Sequence, residues 1–158
     1  MLPIKKILCP TDFSEPSHEA LKYGVELASH FGAEICLVYV MQEVPRPTWA
    51  LQLYSDPEVY EMEIAEYEEA LHVNAQRKVN EVIEQRLPKN TSSRAIVVQG
   101  DTAAEIARVA EEERADLIVI ATHGMTGWRH LVFGSVTEKV LRLAGCPVLT
   151  IRQPLEKK

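Results

Sequence analysis

Apolar and polar residues follow two rhythms along the chain. Five apolar runs of strand length lie at residues 4–9, 34–40, 94–99, 116–121 and 147–152. Several are nearly unbroken in Ile, Val and Leu, the pattern of parallel strands covered on both faces. Between them apolar positions recur at helical spacing. The first helix is expected to begin near Ser14, with Pro16 in its first turn, Ala20, Gly24, Leu27, Ala28 and Phe31 on one face, and Gly32 as its stop. The second runs over 58–87 with a stripe of Ile64, Tyr67, Leu71, Ala75, Val79, Val82 and Ile83. The third opens on Thr102-Ala-Ala-Glu105 and presents Ile106, Val109 and Ala110. The fourth opens on Ser135-Val-Thr-Glu138, presents Val136, Val140 and Leu143, and stops at Gly145 before Pro147. Both openings have capping-box spacing.

The order β-α-β-α-β-α-β-α-β, with right-handed crossovers and two faces to cover, predicts an α/β fold: an open, doubly wound, five-stranded parallel sheet with helices on both faces. Ligands of such sheets sit beyond the carboxyl ends of the strands, at a switch point. At 158 residues and 17.8 kDa the chain suits one domain over 1–158, and no internal repeat interrupts it. No apolar run approaches the roughly 20 residues of a membrane span. Pro10 and Asp12 arrive before a signal-peptide apolar region can form, so a cytoplasmic location is expected.

Net charge is −6, which argues against a nucleic-acid binder. The excess is local: residues 56–87 hold nine acidic side chains against three basic ones, and the remainder of the chain is balanced. A solvated helix face accounts for that cluster better than an acidic docking surface. Cys9, Cys36 and Cys146 lack CxxC spacing and sit in or beside apolar runs, as buried inert thiols do. The stretch 41–57, with Pro45, Pro47, Trp49, Leu51, Leu53 and Tyr54, is an insertion that serves either as a binding segment or as packing on the sheet edge.

None of the seven glycines forms a Gly-x-Gly pair or precedes a lysine, so the dinucleotide fingerprint and the Walker A loop are absent. Zinc-protease and nucleophile-elbow motifs are absent too. The segment following the fourth strand remains. Ala121-Thr-His-Gly124 leads through Gly127 and Arg129 to Gly134-Ser135-Val136 at a helix start, where backbone N–H groups and the helix dipole favour an anion. Ser135 serves equally well as a plain N-cap. Pro10-Thr11-Asp12 ends the first strand; with strands one and four adjacent, Asp12 faces the same crevice and can accept from a ribose or an adenine amine, or else cap the first helix.

Together these residues resemble a known family. The opening Ile7-Leu-Cys-Pro-Thr-Asp12, the Gly100-Asp101 turn, the loop from Ala121-Thr-His-Gly124 to Gly134-Ser135 and the closing Cys146-Pro-Val-Leu are similar, in order, to universal stress proteins. The resemblance implies strand order 3-2-1-4-5 and a homodimer paired through the last strand, 147–152. Its ATP-binding subgroup carries Gly-x2-Gly-x9-Gly-Ser/Thr, matched here at Gly124, Gly134 and Ser135, with Ala121 at the first glycine position. That change is small where φ is negative, and damaging where φ is positive or where the ribose packs against that Cα.

By the same resemblance Pro10, Thr11, Asp12, Val40 and Ala121 line the adenosine part of ATP. His123, Gly124, Arg129, Gly134, Ser135 and Val136 take the phosphates. Mg or Mn, where present, binds through those phosphates, because no carboxylate cluster offers a protein-only metal site. Arg129 is placed to close over a polyphosphate, whereas His130 reads as an exposed loop residue. The expected function is an ATP-binding stress-response or signalling module acting as a homodimeric switch on an unknown protein partner. A slow ATPase or self-phosphorylating protein is the enzymatic alternative, but no Walker lysine, kinase aspartate or water-activating base supports turnover, and no catalytic residue is assigned. A nucleotide-free dimeric interaction protein is the third reading, kept open by Ala121.

Overall fold

A computed structural model describes residues 3–54, 56–122 and 134–152. Its elements are β1 (Lys6–Pro10), α1 (Glu15–Phe31), β2 (Glu34–Met41), a 3-10 turn (Ala50–Leu53), α2 (Pro57–Arg86), β3 (Ser93–Gln99), α3 (Thr102–Glu112), β4 (Leu117–Ala121), α4 (Ser135–Leu143) and β5 (Val148–Ile151). All strand pairings are parallel, in the order β3-β2-β1-β4-β5. The fold class and strand order are as the sequence predicts.

Side-chain alternation splits the core into two layers. Ile7, Cys9, Ile35, Leu37, Val119 and Ala121 join α1 and α2 residues on one face. Leu8, Cys36, Val38, Val40, Ile118 and Ile120 join α3 and α4 residues on the other. Ile7, Leu8, Ile35, Leu37, Ile118 and Val119 have no more than traces of exposure, which explains the unbroken apolar runs.

Helix boundaries follow their caps. Ser14 caps α1, Pro16 lies in its first turn, and Gly32 ends it in the left-handed region at φ 68°. For α3 the cap is Asp101, one residue before the expected Thr102, and its Oδ1 accepts from Ala104 N at 3.1 Å. For α4 the cap position falls on Gly134, so Ser135 is the first helical residue and not the cap expected of it. This helix ends at Leu143 with Ala144 as its C-cap, before the expected Gly145, and Leu143 is exposed.

In α2, Ala75, Val79 and Val82 are buried as expected, but Tyr67 is 55% exposed. The reason is length. A 30-residue helix spans about 45 Å, whereas the seven residues of β3 span about 23 Å, so the sheet covers only part of it. The N-terminal half is met by the insertion instead: Arg46 bonds Glu61 and Glu68 at 3.0 Å each, and Tyr54 donates to Glu63 at 2.6 Å and packs 5.1 Å from the Tyr60 ring. The insertion thus packs against α2, while Trp49 and Leu53 stay exposed.

Cys9 and Cys36 are buried, and burial pushes their thiols up to about 12 and about 11. Cys146 is only half-buried, less enclosed than expected, and desolvation raises it too. No helix among the described residues is long and apolar enough to cross a membrane.

Candidate functional site at the carboxyl edge of the sheet

The site begins where β1 and β4 part. Among the described residues they pair only at Ile7–Leu117 and Leu8–Ile118. Beyond that, Thr11 N turns towards β2 and donates to Val38 O at 2.8 Å, while Thr122 N turns towards β5 and donates to Ile151 O at 2.9 Å. The splay opens the crevice that the doubly wound topology calls for.

On the β1 side, Thr11 is buried and its hydroxyl is committed to the turn: Oγ1 accepts from Phe13 N at 3.1 Å and lies 3.2 Å from Ser17 Oγ. Asp12 Oδ1 accepts from Ser14 N at 3.0 Å and also from Ser14 Oγ. Asp12 therefore braces the residue that caps α1, while Ser14 is the cap itself. Between them Phe13 adopts φ 63°, an unusual conformation for a bulky residue, with its ring 4.6 Å from that of Tyr39 and 6.0 Å from Lys78 Nζ.

On the β4 side the chain returns at Gly134, whose N–H donates to Thr122 O at 2.7 Å. The helix that starts there differs from the other three. Side chains of Ser14, Asp56 and Asp101 cap α1, α2 and α3, whereas among the described residues α4 has no side-chain cap bond. The N–H groups of Ser135, Val136 and Thr137 lack intrahelical acceptors, as the first turn of any helix requires, and carry the positive end of the dipole. Asp101 lies on the same edge. The Ala104 N–H and then the Lys139 ammonium, 3.7 Å away, hold its carboxyl below the usual range.

Of the expected site residues, Pro10 ends β1 and Thr11 and Asp12 follow it, Val40 lies near the end of β2, Ala121 ends β4, Gly134 is the cap position of α4, and Ser135 and Val136 begin that helix. All lie at one edge of the sheet. Val40 and Ala121 are each 8% exposed and belong to opposite faces, Val40 with α3 and α4, Ala121 with α1 and α2. Ala121 is not among the residues with positive φ; it pairs with Ile151 as ordinary strand. The backbone there demands no glycine. His123, Gly124 and Arg129 lie outside the described residues, as do Gly127 and His130.

Thr137 was not singled out in the sequence, although Ser135-Val-Thr-Glu138 contains it. It is 3% exposed, and its Oγ1 donates to Ala121 O at 2.8 Å. Among the described residues no group of three or more His, Cys, Asp or Glu side chains could hold a metal ion.

The universal stress protein family, compared as a whole, matches residues 3–152. The chain belongs to that family. Universal stress protein MJ0531 of Methanocaldococcus jannaschii is 35% identical over 156 residues, covering 95% of this chain and 83% of that protein. MJ0577 of the same organism is 32% identical over 157 residues, covering 94% of this chain and 95% of that protein. The solved structure of MJ0577 superposes with a TM-score of 0.80 at 28% identity, over 98% of this chain and 100% of that one. A universal stress protein family protein from Arabidopsis thaliana with AMP bound has a TM-score of 0.60 at 18% identity, over 96% of this chain and 94% of that one; a likeness so distant shows the fold alone.

Proposed function

We propose that this universal stress protein is a cytoplasmic, adenine-nucleotide-binding stress-response or signalling module, one domain over 1–158, that binds ATP in the crevice between β1 and β4. The observation that carries the reading is the uncapped start of α4, bonded through Gly134 to the end of β4. Every other helix start has a side chain of its own to accept from its N–H groups, whereas no described side chain does so here, which suits the place to an anion. Ser135 and Val136 then hold phosphate through backbone N–H groups, with the Ser135 hydroxyl released from capping, and Gly134 lets the chain come close. His123, Gly124 and Arg129 complete the phosphate side in this reading, and any Mg or Mn arrives with the nucleotide.

Pro10, Thr11, Asp12, Val40 and Ala121 form the adenosine side. Since the Thr11 hydroxyl serves the turn and the Val40 and Ala121 side chains are buried, the backbone and Asp12 supply the polar contacts. The strand geometry of Ala121 supports nucleotide binding over the nucleotide-free alternative, because it takes away the conformational objection to alanine. AMP in the Arabidopsis protein suggests the ligand class to try and nothing about residues. The homodimer forms through β5, an edge strand, where Leu149 on the strand and Leu141 and Leu143 on α4 are exposed.

The test is chromatography with mass detection on denatured, freshly purified protein, followed by calorimetric titration of stripped protein with Mg-ATP and light scattering for the dimer. Adenine nucleotide in the preparation, or micromolar binding lost in Asp12→Ala, is expected. A folded protein that gives no heat with ATP, ADP or AMP refutes the proposal.

A further inference from the structure

A strand directs the N–H and C=O groups of successive residues to opposite neighbours. Thr122 points towards β5, donating to Ile151 O at 2.9 Å, so the carbonyl of the preceding residue, Ala121, points towards β1. By that level β1 is no longer a partner, since the two strands pair only over Ile7–Leu117 and Leu8–Ile118 among the described residues, and Thr11 N has turned to β2. The Ala121 carbonyl therefore faces the mouth of the crevice with no ladder bond waiting for it. A buried carbonyl left in that state is costly. The acceptor is satisfied from 16 residues away: Thr137 Oγ1 donates to it at 2.8 Å, from a side chain 3% exposed.

Gly134 N donates to the next carbonyl, Thr122 O, at 2.7 Å. The carbonyls of Ala121, which ends β4, and of Thr122, which follows it, are thus held by the Thr137 side chain in the first turn of α4 and the Gly134 N–H at its cap. One bond alone would leave a pivot, whereas two fix the rotation of the helix start about the strand end. What that rotation aims is the pair of N–H groups on Ser135 and Val136. The Thr137 hydroxyl also forgoes its usual local alternative of bonding within its own helix.

We propose that Thr137 is a positioning residue for the phosphate-binding end of the nucleotide site, aiming the start of α4 by bridging it to Ala121 across the splay between β1 and β4. The inference rests on the nucleotide reading above and assigns Thr137 no contact with ligand. It also gives Ala121 a role carried by its carbonyl, which alanine provides as well as glycine.

The experiment compares Thr137→Val, which keeps the shape and removes the hydroxyl, with Thr137→Ser, which keeps the hydroxyl and removes the methyl. Mg-ATP and adenosine are titrated into each stripped protein by calorimetry, and amide exchange at Gly134 is followed without ligand. Loss of one aligning bond is expected to weaken Mg-ATP about tenfold in Thr137→Val and to leave adenosine within about twofold, because adenosine carries no phosphate. Thr137→Ser is expected to bind both as the parent does, and Gly134 N–H to exchange faster in Thr137→Val alone.

Equal Mg-ATP affinity in folded Thr137→Val overturns the proposal, and so does an equal loss for adenosine, which marks general damage. If Thr137→Val does not fold, weakened Mg-ATP binding by folded Thr137→Ser overturns it by assigning the effect to the methyl group. If the parent protein binds no nucleotide, the nucleotide reading fails; unchanged Gly134 exchange in Thr137→Val would then refute the bridge as well.

Discussion

Gly24 sits in the middle of α1, where an alanine is worth about 1 kcal/mol more than a glycine in helix propensity alone. Propensity therefore predicts that Gly24→Ala stabilises the protein. Packing predicts the reverse. A Cβ built on Gly24 falls 2.6 Å from Cys9 Sγ, nearer than nonbonded carbon and sulfur can approach, with Ile35 Cδ1 at 3.8 Å and Val119 Cβ at 4.0 Å behind it. Cys9 is 1% exposed and its short side chain has one rotatable bond, so the sulfur has little room to yield. Overpacking of this kind costs about 1–3 kcal/mol. Set against the propensity gain, a net loss of about 1 kcal/mol is expected, or a fall of about 3 °C in melting temperature for a domain of this size.

The same substitution made in a Cys9→Ala background isolates the cause. With the sulfur gone, the next atom stands at ordinary contact distance, and Gly24→Ala should raise the melting temperature by about 3 °C. The sign of one substitution is thus set by one atom, and a four-member thermal-unfolding cycle reads it directly. A melting temperature that rises with Gly24→Ala in the parent, or one that still falls in Cys9→Ala, refutes the reasoning. Cys9 is followed directly by Pro10, Thr11 and Asp12, so this close approach of α1 to β1 lies next to the turn that the proposed nucleotide site uses.

Glu113 is held below the usual carboxylate range chiefly by its hydrogen bond from Lys6, with Arg94 adding to it. Its contribution to stability is present above about pH 4.5, the ordinary value, and is lost as pH falls further. Glu113→Gln should cost about 1 kcal/mol at neutral pH, and urea midpoints should show a shallower fall below pH 4.5; a parallel fall in both proteins counts against it. The buried thiols act at the other extreme: Cys9 rises from 9.0 to about 12, so the unfolded chain ionises first and stability declines as pH climbs through that window. Cys9→Ala should flatten the decline, and a disulfide exchange reagent at pH 8 should label Cys146 before Cys9 or Cys36 in the folded protein. Labelling of Cys9 at the rate of unfolding-independent Cys146 would contradict the burial argument. Ala121→Gly should leave Mg-ATP affinity within about twofold, measured by calorimetry, since the backbone there is strand and gains nothing from glycine.

The strands were legible because burial on both faces of a parallel sheet demands unbroken apolar runs, and those runs have few alternative readings; their order was legible through the resemblance to universal stress proteins. Ser14 and Gly32 were legible as caps for the same reason: their chemistry is local. Thr102 and Ser135 were misread by one residue because Asp101 and Gly134, immediately before them, are also acceptable at the cap, and only the three-dimensional course of the backbone chooses. Tyr67 belonged to the apolar stripe by periodicity, yet nothing in periodicity says that β3 is shorter than the helix laid against it. Thr137 was invisible because its partner, the Ala121 carbonyl, is a main-chain atom 16 positions away, and no residue type marks a carbonyl that has lost its ladder.

The two edges of the sheet are finished differently, and that difference bears on function. At the amino edge Lys6 bonds Glu113 at 2.8 Å and lies 3.5 Å from Glu34, Arg94 reaches Glu113 at 3.0 Å, and Asp116 accepts from Lys5 N and Lys6 N at 2.8 and 3.0 Å. Those side chains tie β1, β2 and β3 to the end of α3 through protein partners. At the carboxyl edge the caps of α1 and α3 are complete in the same sense, and among the described residues α4 starts without one. Glycine is itself accepted at an N-cap, so serine, aspartate or asparagine at position 134 would stabilise the helix by only about 0.3 kcal/mol; glycine forgoes that small gain. The loss makes physical sense where another acceptor visits the same N–H groups. Gly134→Asp therefore separates the two roles: it should raise thermal stability by supplying the missing cap and abolish Mg-ATP binding by occupying the anion's place with a carboxylate. A variant that gains the stability and still binds Mg-ATP would show that the start of α4 is not where the phosphates go.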